Sequence, residues 1–249
     1  MARDWNTQRN INKNLRSLGS PGRDIFAKPF PSFTKVLAIL LAIFIPLTTI
    51  LLAANIVFRV PDLYNFEINR TSALEDAEIK IDEDGAIGDL ISSYMLHKTD
   101  TFQMLHEFRG GKEGLFTDND KKAMERYRAF LDKTFIILII IFVISIGGFI
   151  FMSATKWIRR LRKVYTVALL FYIAILLGSI AIFLNKGAIQ NMLNKVLGVS
   201  LGSNDVLDMI FSTSFVTIST LSIIAISLLV MLVGNSIIRY LTKDYRMFD

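Results

Sequence analysis

Apolar residues in this chain gather into long blocks instead of recurring as one-sided stripes. Four blocks stand out, Lys35–Phe58, Thr134–Thr155, Val164–Leu184 and Ser214–Ile238, each with few or no internal charges. About 20 apolar residues in a helix cross the hydrocarbon core of a bilayer, so each block predicts a transmembrane helix. Polar stretches divide the rest: a basic tail (1–33), span one (34–58), a long loop (59–133), span two (134–155), a basic loop (156–163), span three (164–184), a second loop (185–213), span four (214–238) and a tail (239–249). The predicted fold class is an all-α membrane protein with four transmembrane helices and a large α-rich loop between the first two.

Charge orients the spans. Arg3, Arg9, Lys13, Arg16, Arg23, Lys28 and Lys35 precede or open the first, Lys156, Arg159, Arg160, Arg162 and Lys163 fill the loop between the second and third, and Arg239, Lys243 and Arg246 follow the last. The loop Arg59–Lys133 instead holds 11 basic against 16 acidic residues. The positive-inside rule then puts both termini and 156–163 in the cytoplasm and 59–133 and 185–213 outside. The first span reads as a retained anchor: its apolar run is too long for a signal peptide and lacks a small-x-small exit before Arg59. In the tail, Trp5, Ile11, Leu15 and Leu18 at helical spacing leave an interfacial helix and a disordered tail both open.

Within the first outer loop, weak alternation at Ala77, Ile79 and Ile81 predicts a short extended segment in Glu67–Asp84. Asp84 or Gly85 is expected to cap a helix from Ala86 to about Phe108, with Ile87, Leu90, Ile91, Tyr94 and Met95 on one face and Gly110-Gly111 ending it. Thr117 and Asp120 spell a capping box with Asp in place of Glu, opening one long helix from about Asp118 to Thr155. Small pairs at Gly147-Gly148 and Gly178-Ser179, and the stripe Thr213, Thr217, Thr220 and Ser227, mark expected helix–helix contacts.

Composition narrows the function classes. A hydrophobic fraction of 52% and a mean hydropathy of +0.45 exclude an ordinary soluble domain. Once the net charge of +6 is divided among the loops, it argues for topology and against a nucleic-acid partner. The chain has no cysteine, which removes disulfides and thiolate chemistry; an outer loop without disulfides fits a bacterial cytoplasmic membrane. No charge lies deep in a span, which disfavours ion or proton transport.

Several motifs carry chemistry on paper. Gly198-Val199-Ser200-Leu201-Gly202 spells a nucleophile elbow but has no strand to sit on. Asp82-Glu83-Asp84-Gly85 begins like a calcium loop without its later ligands. No metal or cofactor is therefore expected. His97 and His106 are the only histidines, and with Asp100 and Glu107 nearby they are weak candidates for a general base. Arg59, Asp62, Tyr64, Glu67 and Arg70 cluster where the first span leaves the membrane. They form the candidate site for a lipid headgroup or a partner, and an interfacial anchor with local ion pairs is the competing reading.

The layout resembles a family of bacterial integral membrane proteins that includes the lipoprotein intramolecular transacylases. An aromatic segment follows the first span there, here Pro61-Asp62-Leu63-Tyr64-Asn65-Phe66-Glu67, and a Phe with polar residues opens the second, here Phe116-Thr117-Asp118-Asn119-Asp120. The helix then typically carries His-Met-x-x-Val and a basic residue. This chain has Ala123-Met124-Glu125-Arg126-Tyr127-Arg128, with Met124 and Arg128 in register and alanine for the histidine. A second family histidine is missing around Phe183–Lys186. The resemblance implies transfer of an acyl chain from the glycerol of a lipid-modified cysteine onto its amine. Without those histidines, the expectation is a non-catalytic envelope component that binds membrane lipids, a lipoprotein or another membrane protein. The alternative is an acyl-transfer enzyme with a rearranged site.

Overall fold

The structure, a computed structural model, describes residues 31–71, 85–108, 111–154, 158–183, 195–196, 207 and 210–242. Four of its helices are long and apolar enough to cross a membrane, so the protein is a multi-pass membrane protein. Helix α1 (Pro31–Val57) is the axis of the bundle and packs along the other three spans. It runs unbroken through Pro46, and the hydroxyls of Thr48 and Thr49 donate to the carbonyls of Phe44 and Pro46 at 2.7 and 2.8 Å. These bonds satisfy polar groups locally where lipid offers no alternative.

Two short helices follow outside the bundle, α2 (Pro61–Thr71) and α3 (Ala86–Met95). Gly85 precedes α3 with φ 88, a conformation that costs glycine nothing. The two helices meet so closely that a Cβ on Gly88 would lie 2.1 Å from the side-chain oxygen of Asn65, which instead accepts the Gly88 N–H. Strands β1 (Leu105–Phe108) and β2 (Gly111–Gly114) pair antiparallel. The predicted helix over 86–108 therefore stops thirteen residues early, at Met95, where its apolar face runs out into Lys98-Thr99-Asp100. Likewise Glu67–Thr71 belongs to α2 and not to an extended segment; Ala77, Ile79 and Ile81 lie outside the described residues.

Helix α4 (Asp118–Ala154) begins at the expected capping box: Asp120 N–H donates to Thr117 Oγ1, and the Asp120 carboxylate accepts from Thr117 N–H at 2.9 Å. It continues unbroken into the membrane. Helices α5 (Ile158–Phe183) and α6 (Thr213–Leu241) complete the bundle. Leu41, Met152 and Leu161 fill one end of it, and Tyr165, Tyr172 and Met231 fill its middle. Among the predicted close contacts, Gly148 meets Leu37 and Leu41 and Ser227 bonds Tyr172, but Gly147 and Gly178 face open space. Gly234 takes a role of that kind unforeseen, beneath the Tyr165 hydroxyl.

The outward faces of the spans, such as Ile136, Ile140 and Val143 on α4, remain exposed as lipid-facing surface requires. The best-filled core lies instead outside the bundle. There Tyr64, Ile87, Ile91, Met95, Met124, Tyr127, Phe211 and Phe215 pack together and cap one end of it. Each such side chain fully buried contributes ~1.5–3 kcal/mol. The nucleophile-elbow spelling at Gly198–Gly202, the calcium-like Asp82–Asp84 and the tail Trp5–Leu18 all lie outside the described residues.

Candidate functional site

Helix α3 ends in a paired-bond turn that normally demands glycine. Lys98 N–H donates to the Ser93 carbonyl and His97 N–H to the Tyr94 carbonyl, the two bonds of a Schellman motif. The residue after the helix cap in that motif adopts the left-handed conformation, and here it is His97, with φ 58. Every other described residue with positive φ is glycine. A side chain in that region costs ~1–2 kcal/mol relative to glycine. Such strain marks a position whose side chain is wanted for something else.

The imidazole supplies the reason. His97 Nε2 lies 3.0 Å from Asp132 Oδ2, and the other carboxylate oxygen holds the Arg59 guanidinium at 3.2 Å. Because a carboxylate only accepts, we assign the ring proton to Nε2, which leaves Nδ1 with the lone pair. Nδ1 faces the guanidinium of Arg128, which itself stacks 4.6 Å above the Tyr94 ring. Arg59 lies 5.1 Å from the Phe135 ring, at the start of the apolar part of α4. Its Nε is buried without a partner. The His97 side chain is half exposed and that of Asp132 about a third. The cluster is thus open to solvent, strained, and holds two guanidinium groups against one carboxylate at the bilayer edge. Such an arrangement can accept a proton at Nδ1 and stabilise a developing oxyanion.

A second carboxylate cluster lies across the cap. Glu67 is fully buried; it receives two hydrogen bonds from Arg70, at 2.7 and 3.1 Å, and one from Ser212 Oγ at 2.5 Å. Ser212 is the N-cap of α6, where its oxygen also accepts from Phe215 N–H. Bonding to Glu67 holds the Arg70 guanidinium above its ordinary range. This closed arrangement ties α2 to α6.

The five residues predicted around the exit of the first span are accordingly divided. Arg59 joins Asp132, 73 positions away; Glu67 and Arg70 form the tie; Asp62 is exposed in the first turn of α2. Tyr64 is fully buried among Phe211 and Phe215, donates to the Phe58 carbonyl at 2.8 Å, and burial pushes its phenol well up. His97 and His106 are likewise separated in structure, His106 standing on β1 opposite Glu113. Asp132 went unnoticed in the sequence. Its signal was its spacing, four residues past Arg128 on one helix face and just ahead of the apolar run. Ala123, where the resemblance places a histidine, is fully buried in the capping core.

The model of the lipoprotein intramolecular transacylase Lit family matches residues 39–187, more than half of the chain. No curated protein matches. Among solved structures, the membrane integral lipoprotein intramolecular transacylase Lit from Bacillus cereus resembles the chain. A variant with histidine replaced by arginine superposes with a TM-score of 0.66 at 18% identity, covering 96% of this chain and 99% of that one. A variant with alanine at that histidine gives 0.65 at 20% identity, over 87% and 96% of the two chains. At such identity the likeness speaks for the fold. The family match overturns the expectation of a non-catalytic component, which rested on the missing histidines alone. The matched span contains Arg59, His97, Arg128 and Asp132, and excludes Ser212.

Proposed function

The chain belongs to the lipoprotein intramolecular transacylase family, and from that premise we propose that it is a membrane acyl-transfer enzyme acting on lipoproteins. Its place is the bacterial cytoplasmic membrane, with both termini inside and the capping region outside, as the flanking charges of the spans argue. Its substrate is a lipid-modified N-terminal cysteine whose chains lie in the outer leaflet. The observation that carries the reading is His97, held in a strained turn with its imidazole on Asp132.

The reaction forms one bond and breaks one. The cysteine's amine attacks the carbonyl of a glycerol ester, the new N–C bond forms, and the C–O bond to glycerol breaks. Arg128 swings from His97 Nδ1 onto the substrate, and Nδ1 takes the amine proton and returns it to the departing glycerol oxygen. Asp132 holds the ring's tautomer and balances the imidazolium. The guanidinium groups of Arg59 and Arg128 bind the oxyanion of the tetrahedral intermediate. The proton relay is worth about 10²–10⁴ in rate.

The test is to express the chain in a bacterium whose lipoproteins carry diacylglyceryl cysteine with a free amine. Fragmentation mass spectrometry of the N-terminal lipopeptide then locates the acyl chains. We expect one chain on nitrogen with the wild type and none with His97→Gln. Membrane-inserted wild type that leaves both chains on glycerol would sink the proposal.

A further inference from the structure

A cavity of about 620 Å³ opens beside the His97–Asp132 cluster, on the side away from the apolar part of α4. One wall is the segment Thr101–Gln103; the other is α4 from Lys121 to Asp132. Helix α4 runs towards the membrane, so the cavity leads outward from the bilayer edge. We infer that it seats the polypeptide immediately following the substrate's lipidated cysteine, read through its backbone as an extended strand. This rests on the acyl-transfer reading above, which puts the cysteine's amine at His97 Nδ1, beside Arg128 in the cavity lining.

Length agrees first. From Lys121 to Asp132 the helix rises ~16 Å at ~1.5 Å per residue, which about five extended residues cover at ~3.3 Å each. The volume lies within the range of ligand pockets. Charge agrees next. Lys121, Lys122 and Arg128 in the lining face Asp100, Glu125 and Asp132, so the walls carry no net charge. A site for an anionic lipid headgroup needs a cationic surplus, whereas a site that must accept many different polypeptides does not.

The wall itself resembles a prepared strand edge. Phe102 is buried against Phe116, their rings 4.3 Å apart, and anchors the segment, while Thr101 on its solvent side is exposed. Gln103 fixes the far end: its Oε1 accepts from Met104 N–H and Phe116 N–H at 3.3 and 3.1 Å. Among the described residues, the backbone N–H groups of Thr101 and Phe102 have no backbone acceptor, and since neighbouring N–H groups of an extended chain point to opposite edges, one of the two is presented on the cavity side. A rigid stretch with open amides is what strand addition uses, main-chain bonds giving affinity without demanding a sequence.

The experiment uses the full-length protein in lipid nanodiscs and compares two probes, diacylglyceryl cysteine amide and the same lipidated cysteine followed by six uncharged residues. Two or three backbone hydrogen bonds make the peptide-bearing probe bind roughly tenfold tighter. N-methylation of its backbone amides removes that advantage, as does filling the cavity by Ala129→Trp or Thr101→Trp, both at exposed positions. Equal affinity of the two probes overturns the inference, and so does an advantage that survives both tryptophans. It is equally overturned if the tryptophans leave peptide binding intact and instead abolish a preference for phosphatidylglycerol over phosphatidylcholine nanodiscs. Mass spectrometry of the bound probes reports separately on acyl transfer. Peptide preference without N-acylation would remove the reaction and keep the cleft, and N-acylation without peptide preference would do the reverse.

Discussion

Glu67 and Asp132 are both carboxylates at the capped end of the bundle, and both sit between an arginine and a second polar side chain. They have opposite characters. Glu67 is sealed from water, and its partners Arg70 and Ser212 direct three hydrogen bonds into it. Burial makes such a cluster stable only while it is complete. Asp132 is partly open, its histidine partner stands in a backbone conformation that favours glycine, and its arginine partner keeps an unbonded Nε. Saturation and burial mark a clamp; openness and strain mark a place where something else can bind and react.

Removing the active member of each cluster is the sharpest way to test that difference. His97→Gln is expected to lower acyl transfer about a thousandfold, the middle of the range for a general base, with the unfolding temperature in detergent little changed. A variant of near wild-type rate would assign the two clusters the same structural role. Glu67→Ala should do the reverse. Ser212 and Arg70 lose their acceptor, and the fully buried side chain leaves a gap where α2 is tied to α6, seen as an early thermal transition. The rate per folded molecule should hold, and a catalytic loss at full stability would move the site to Glu67.

Ala123→His tests the space between the clusters. The position is fully buried in filled core, so an added ring should cost ~1–3 kcal/mol by overpacking; unchanged stability would mean that the core has room for the family's histidine. The smallest effect is the most discriminating. His97→Gly removes ~1–2 kcal/mol of backbone strain and gives up an exposed hydrogen bond to Asp132 worth ~0.5–1.5 kcal/mol. It should thus be slightly more stable than wild type and as inactive as His97→Gln. If His97→Gly is instead less stable, the imidazole is structural.

Legibility followed the range of the interactions. The four spans, the continuous Asp118–Ala154 helix and its Thr117–Asp120 capping box were readable, because each depends on neighbours within one helix or one turn. The helix over 86–108 was overextended, because nothing local announces that His97 will take up a left-handed turn; a glycine there would have. The candidate site was half legible. Arg59 and His97 were singled out, but Arg59 was grouped with Glu67 and Arg70 on sequence proximity alone. Asp132, which joins it to His97, looked like one more acid in an acidic loop.

By itself, then, the sequence determined four helices long and apolar enough to cross a membrane. Its charge asymmetry also argued which side each loop faces. Apolar length and charge act against the bilayer and need no tertiary partner to be felt. Only the tertiary structure decided which charges meet. Arg59 pairs with a residue 73 positions on, and Glu67 with one 145 positions on. Those distances close only when α2 and α3 fold back over the adjoining ends of α4 and α6, burying the aromatic core between them. The same folding seals one carboxylate and leaves the other open, and that is the physical reason the clamp and the site could not be told apart beforehand.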